Sequence, residues 1–329
     1  MKRFALVGIL AIGGLLLASC TEEAVQTEEP VKTHIVALQL GGEILDVSYS
    51  DLTKGENDKD LYGIQVESRV AGETGNYSNY AYGVFDSLEG LTITLLEGKE
   101  YKFKAMLVKE GKERLMYYDY SGGYSAPFFH QGTSYGVTPI GTSFTYSSSE
   151  YLPYESYLVD KVYLQEGSYY HPDVDSFYGE VDAFVPGSND AVTIEMKRTV
   201  FGLNVIAEGM TEGKLSVQME SAPSKEIVYP GTGLDEIFSF YNVFLAWSST
   251  DYKESIIVSF FWVKENEEEV LIASQSFDFY RNKKTTITVQ VVDQNPTAGV
   301  SVSLESVPMG DGGSYEIEAG GSGNIDINS

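Results

Sequence analysis

Thiol chemistry is almost missing from this sequence, in which Cys20 is the single cysteine among 329 residues. A lone cysteine excludes an internal disulfide, so stability must come from core burial and sheet hydrogen bonding. Histidine is scarce too. His34, His130 and His171 stand in separate segments without the close spacing of a zinc site, and an ordinary turn or surface role is the reading for each. Positive charge is thin, with 22 Lys and Arg against 48 Asp and Glu and a net charge of −26. Such a surface repels phosphate backbones and anionic lipid, which argues against nucleic acid binding and membrane wrapping. Nucleophile elbow, phosphate loop and dinucleotide fingerprint are missing as well. No catalytic residue and no cofactor is read from the chain, and a non-enzymatic role is expected.

What is present begins with Leu17-Ala18-Ser19-Cys20, which closes a short apolar run opened by Lys2 and Arg3. Basic start, apolar stretch and small residues before a cysteine form a bacterial lipoprotein signal, and the run is too short for a confident membrane span. Residues 1–19 are therefore read as the signal peptide and Cys20 as the lipidated first residue. Acyl chains anchor at about 0.8 kcal/mol per buried methylene. Loss of the two cations Lys2 and Arg3 with the signal takes the charge to −28. Residues 20–32, with Glu22, Glu23, Glu28 and Glu29, are too polar to fold alone and read as a flexible acidic tether.

After the signal, helical periodicity is nearly absent. Runs rich in Val, Ile, Tyr, Phe and Thr recur between Gly, Asn, Asp and Ser clusters, the pattern of an all-β chain. Strands are expected at 34–40, 61–68, 80–86, 91–95, 101–109, 113–119, 157–165, 179–185 and 191–197. In 101–107, Tyr101, Phe103, Ala105 and Leu107 share one face while Lys102 and Lys104 take the other, a half-buried strand. The turn at 110–112 predicts a hairpin into the next run. Residues 121–156, broken by Gly122, Gly123, Pro127, Gly132, Pro139 and Pro153, read as a long loop with one short strand at 143–146. A second set of strands is expected at 199–207, 214–219, 225–229, 237–246, 255–264, 270–276 and 285–292, with an acidic hairpin tip at 265–269. The turn formers at 185–190 suggest the break between two β-sandwich domains, 33–186 and 187–293. Residues 294–329 hold an extra strand at 300–304 and a glycine-rich tail.

Two groups of residues are candidates for contact. Tyr117, Tyr118, Tyr120 and Tyr124 precede the long loop, and Tyr146, Tyr151, Tyr154 and Tyr157 leave it. Tyrosine suits a glycan ring or protein partner, and it is equally a common half-buried strand residue. Asp173 and Asp175, at alternate positions near a turn, are a calcium candidate beside the reading of a solvated turn; the full loop pattern with its bidentate Glu is missing.

Several fragments together resemble the fimbrillin family of Bacteroidetes surface lipoproteins. They are 62–66 (YGIQV), 80–86 (YAYGVFD), 177–180 (FYGE), 194–203 (IEMKRTVFGL) and 281–284 (RNKK). The acidic residues behind Cys20 are similar to the surface-export signal of such lipoproteins. The resemblance implies two transthyretin-like β-sandwiches in tandem, an outer-membrane lipid anchor exposed at the cell surface, and a pilus (fimbrial) anchor or accessory subunit or an adhesin. Other fimbrial subunits, or host or bacterial surface ligands, are the implied partners. In polymerising members an arginine-specific protease removes the first segment and a neighbour's strand fills the groove. Arg69 is the first arginine after Cys20, and it is either that cut site or a solvated loop residue. The segment 300–304 is the candidate donor strand. The alternative is an outer-surface glycan-binding lipoprotein of a polysaccharide-uptake system that uses the tyrosine-flanked loop.

Overall fold

The first half of the chain builds a sandwich with a third layer laid over it. The computed structural model describes residues 31–44, 59–133, 136–154, 161–187 and 191–291, and the backbone of 302–304, 306–308 and 313–316. Its first strands are β1 (Thr33–Gly42), β2 (Leu61–Val70), β3 (Ser78–Phe85), β4 (Thr92–Leu96) and β5 (Lys99–Val108). A helical turn, α1 (Gly111–Arg114), leads to the short strands β6 (Tyr117–Tyr118), β7 (Gly123–Tyr124), β8 (Thr145–Tyr146), β9 (Val162–Leu164) and β10 (Gly167–Tyr169). Two longer strands, β11 (Ser176–Phe184) and β12 (Ala191–Arg198), complete the set. The strand order is β4-β1-β12-β11-β5-β2-β3-β8, with β1 parallel to β12 and β11 meeting β12 only at Phe177 and Tyr178. At that corner the path folds over. Val36, Ile93, Ile194 and Met196 from one side pack on Ile64, Val66, Phe103 and Leu107 from the other.

The outer face of β2, β3, β5 and β11 is also buried. The described residues of 115–133, 136–154 and 161–174 run across it and place Leu115, Tyr124, Phe128, Leu152, Tyr154 and Leu164 against Val84, Met106, Val108 and Tyr178. The face of β5 expected inward is inward, with Tyr101, Phe103, Ala105 and Leu107 all buried. Its other face is not free: Met106 and Val108 are covered, and Lys104, 4% exposed, pairs with Glu67 at 2.9 Å. One glycine makes the aromatic covering fit: a Cβ on Gly63 would lie 1.8 Å from the Tyr154 hydroxyl. On the inner face, one on Gly83 would lie 2.4 Å from the Phe85 ring.

The second sandwich uses β13 (Val200–Glu208), β14 (Lys214–Met219), β15 (Lys225–Val228), β16 (Gly233–Ser239), β17 (Lys253–Val263), β18 (Glu269–Tyr280) and β19 (Lys283–Gln290), with the helix α2 (Val243–Ser248) between β16 and β17. The last strands are β20 (Val302–Leu304), β21 (Ser306–Pro308) and β22 (Gly313–Glu316). One sheet runs β16-β13-β19-β22-β20 and the other β15-β14-β17-β18. Alternate residues of β13 and β17 meet in the middle, where Phe201 lies 4.8 Å from Phe240 and 4.7 Å from Phe279 between ring centroids. Burying each such ring contributes about 1.5–3 kcal/mol.

Several expectations are corrected. The chain is an all-β sandwich protein, but the break at 186/187 falls inside the first sheet system. β12 pairs with β1 and β11, and its Val192, Ile194 and Met196 belong to the first core. The change of sheet comes at Thr199 instead. The physical reason is a long-range pairing that turn formers cannot reveal: β12, far along the chain, is the parallel neighbour of β1. The hairpin at 110–112 is absent, because β5 lies between β2 and β11 and 111–114 is helical. In the run 237–246, residues 243–248 form α2, started by the Asn242 side chain, which accepts a hydrogen bond from the Leu245 N–H. Of the segment 300–304, the described residues 302–304 lie within their own sheet rather than reaching out. β20 pairs with β22, which runs parallel to β19, so a strand also forms inside the expected glycine-rich tail.

Candidate binding surfaces

A cleft lies at the end of the first sandwich where the β2–β3 hairpin, β8 and the start of β5 converge. Its volume is about 580 Å³, and its polar walls include Asn76, Ser78, Asn79, Ser147 and Ser148. Tyr80 and Tyr146 stand edge to face, 5.4 Å between centroids, within it. Backbone groups of the exposed residue Thr94 fix both rings: the Tyr80 hydroxyl donates to the Thr94 carbonyl at 2.7 Å, and the Tyr146 hydroxyl accepts the Thr94 N–H at 2.9 Å. Burial, and then the Tyr101 charge, pushes the Tyr80 hydroxyl far above its ordinary pKa, so it stays a donor.

Arg69 closes one wall. Its guanidinium bonds Glu100, donates to the Gly75 carbonyl at 2.8 Å and lies 4.3 Å from the centre of the Tyr77 ring. That hydrogen bond from Arg69 holds the Glu100 carboxyl below its usual range. Arg69 was expected in a loop. It is instead a strand residue of β2, opposite Glu100 of β5. A protease needs an extended, unpaired segment, so the cut-site reading loses its basis in the folded state.

The tyrosine group divides. Tyr117 and Tyr118 on β6 are 42% and 43% exposed, and Tyr120 is fully exposed, so these three form a surface hairpin. Tyr124 and Tyr154 are buried in the layer over the sheet, which corrects their reading as contact residues. Tyr151 is half-buried, its hydroxyl 3.4 Å from the Gln131 side-chain oxygen. The Tyr154 hydroxyl has no partner among the described residues, and burial drives its pKa well above the usual value. Tyr157 and Cys20 lie outside the described residues. Sequence spacing could not separate these tyrosines, because which of them is covered depends on where the long segment crosses the sheet.

Asp173 and Asp175 do not open toward a metal site. Asp173 lies between Arg114 at 2.7 Å and Lys225 at 2.6 Å, and Asp175 takes Arg198. Positive partners from distant elements, α1 and the strands β15 and β12, have neutralised both, which is the reason the calcium candidate fails. Among the described residues, no group of three or more metal-binding side chains converges. These aspartates are part of a junction that the sequence reading missed. The segment 171–176 threads between the sandwiches. There the Ser176 hydroxyl meets Thr199 Oγ1 at 2.9 Å and Ser239 Oγ at 2.8 Å, and the Pro172 carbonyl accepts the Ser239 N–H at 2.9 Å. Trp247 of α2 reaches back to Tyr178 of β11, 5.7 Å between ring centroids.

No family model matches the chain, and no curated protein does. Among solved structures it is similar to a candidate cell adhesion protein from Bacteroides eggerthii, at 12% identity over 80% of this chain and 87% of that one, TM-score 0.37. It is also similar to the tip fimbrial protein Mfa3 from Porphyromonas gingivalis, at 10% identity, 81% and 97% coverage and TM-score 0.28. A third is a fimbrial assembly protein from Parabacteroides distasonis, at 10% identity, 80% and 93% coverage and TM-score 0.30.

Proposed function

We propose that this protein is a lipid-anchored outer-membrane protein of the bacterial surface that acts in adhesion or as an anchor or accessory subunit of a pilus, without enzymatic activity. The observation that carries the reading is the combination of Leu17-Ala18-Ser19-Cys20, the acidic tether behind it and an all-β body. A signal of this kind commits the only thiol to acyl chains, and the tether holds the sandwiches off the lipid. Exposed Tyr117, Tyr118 and Tyr120 supply contact area of the kind that binds partners at modest entropy cost. Changing Cys20 to Ala should release the protein from the outer-membrane fraction or leave an unprocessed precursor, and radiolabelled palmitate should mark only the wild type. Equal membrane retention and labelling of both proteins would end the anchor reading. Loss of adherence or of surface pili in a deletion strain tests the second half.

A glycan-binding reading draws support from the cleft around Tyr80 and Tyr146, whose amide and hydroxyl walls suit sugar hydroxyls while an exposed ring suits a sugar face. Substituting Tyr146 by Ala should then abolish retention on a polysaccharide array while leaving the melting temperature within about 2 °C. Unchanged retention would remove this reading.

A further inference from the structure

The junction carries a second cleft, of about 390 Å³, lined by Tyr170, His171, Glu220, Ser221, Tyr241 and Glu254, with Ser255 and Ile256 beside them. Tyr170 and Tyr241 meet edge to face, 4.7 Å between centroids and 82° between planes. Neither Lys nor Arg lines it. Lys161 sits 5.0 Å from the centre of the Tyr170 ring and lines a different pocket, one that includes Pro127 and Val162.

His171 gives the cleft its chemistry. Its imidazole side chain is 9% exposed. Nδ1 lies 3.3 Å from the Ser239 carbonyl, an acceptor only, so Nδ1 carries the proton. Nε2 then presents a lone pair, and 3.6 Å away it faces Glu254 Oε2. Two acceptors confront each other with no donor between them. Burial keeps the imidazole neutral by lowering its pKa, against the opposing pull of Glu254 and Glu220. The other side of Glu254 accepts the Tyr252 hydroxyl, which leaves Oε2 to the cleft.

We propose that this cleft binds an amino sugar with a free amine. The ammonium group would donate to both Glu254 Oε2 and His171 Nε2, with Glu220 adding charge, and a tyrosine ring would meet the C–H face of the sugar. Ser221 offers a hydroxyl that a sugar uses and the aliphatic stem of a lysine does not, while the Ser255 hydroxyl donates to Asp278 and is left only to accept. The strongly negative protein also attracts a cation. This site is separate from the Tyr80 cleft and does not depend on lipid attachment.

Titration calorimetry of the purified protein against glucosamine, N-acetylglucosamine and Nα-acetyl-lysinamide tests the proposal. Glucosamine should bind; N-acetylglucosamine should bind roughly tenfold or more weakly through loss of the charge-assisted contact, and the lysine amide, which keeps its ammonium, should bind more weakly because it lacks the sugar's hydroxyls and ring face. Glu254→Gln and Glu220→Gln should each weaken glucosamine binding, Glu254→Gln by about tenfold or more, with circular dichroism unchanged. Tyr241→Leu should weaken it as well. Equal binding of the acetylated sugar would overturn recognition of the charge. Tighter binding of the lysine amide would overturn the sugar assignment, and no glucosamine binding at millimolar concentration would overturn the site.

Discussion

Arg198 grips Asp175 with two prongs, Nε to Oδ1 at 2.8 Å and Nη2 to Oδ2 at 2.9 Å. The pair joins the end of the last strand of the first sandwich to the segment that threads the junction. Both side chains are mostly covered, at 9% and 16% exposure. Removing one partner leaves the other charge uncompensated, so Asp175→Ala should destabilise the protein by about 3–5 kcal/mol. A double replacement of both residues by apolar groups of similar volume should cost much less. Urea unfolding of the three variants checks the ordering, and a single Asp175→Ala loss under about 1 kcal/mol would show the fork is not a structural tie.

Gly63 and Tyr154 make a reciprocal test of the layer over the sheet. Because a Cβ at Gly63 would lie 1.8 Å from the Tyr154 hydroxyl and 2.6 Å from the Phe128 ring, Gly63→Ala should destabilise by about 1–3 kcal/mol or more. Tyr154→Phe removes a buried hydroxyl that has no partner among the described residues, so it should be neutral or stabilise by about 1 kcal/mol. In the double variant the loss should be smaller than in Gly63→Ala alone. Thermal melts that show strict additivity would place the two residues apart.

His171 should make stability fall on mild acidification. Its folded pKa lies below the ordinary 6.5, through burial first, although Glu254, the Ser239 carbonyl and Glu220 pull it upward. The unfolded chain therefore binds the extra proton more readily. The contribution is complete above about pH 6.5 and is lost as pH falls through that value toward the folded pKa. The many carboxylates also respond to acid, so the measurement is a difference. Between about pH 7 and pH 5 the melting temperature of the wild type should drop more than that of His171→Gln. Parallel curves would show that His171 titrates alike in both states.

Arg69 should resist trypsin in the folded protein, since the bond after it lies in β2, paired across Arg69–Glu100 and Val70–Lys99 of β5. Cleavage there should appear only with denaturant, in step with global unfolding. A fragment beginning at Val70 from brief digestion of native protein would restore the cut-site reading.

Strand positions encoded in neighbouring residues differ physically from those set by distant cover. Alternation in 101–107 located β5 and its inward face, because a period of two is written in neighbouring residues. The burial of Met106 and Val108 on the opposite face was not legible, since their cover comes from residues such as Phe128 and Tyr154. The same dependence sorted Tyr117 and Tyr120 to the surface and Tyr124 and Tyr154 to the interior. At 243–248, apolar residues with strand-like composition became a helix whose Phe244 and Trp247 pack on the first sandwich's outer layer.

The sequence by itself determined the all-β character and the position of most long strands, because each is encoded within a few consecutive residues. Only the tertiary structure decided that β12 belongs with β1, that Asp173 and Asp175 are taken by Arg114, Lys225 and Arg198, and that His171 faces Glu254 beside two tyrosines. Those relationships join residues far apart in the chain. They exist only once backbone pairing and burial have chosen which distant segments meet, and no local pattern of residues specifies that choice.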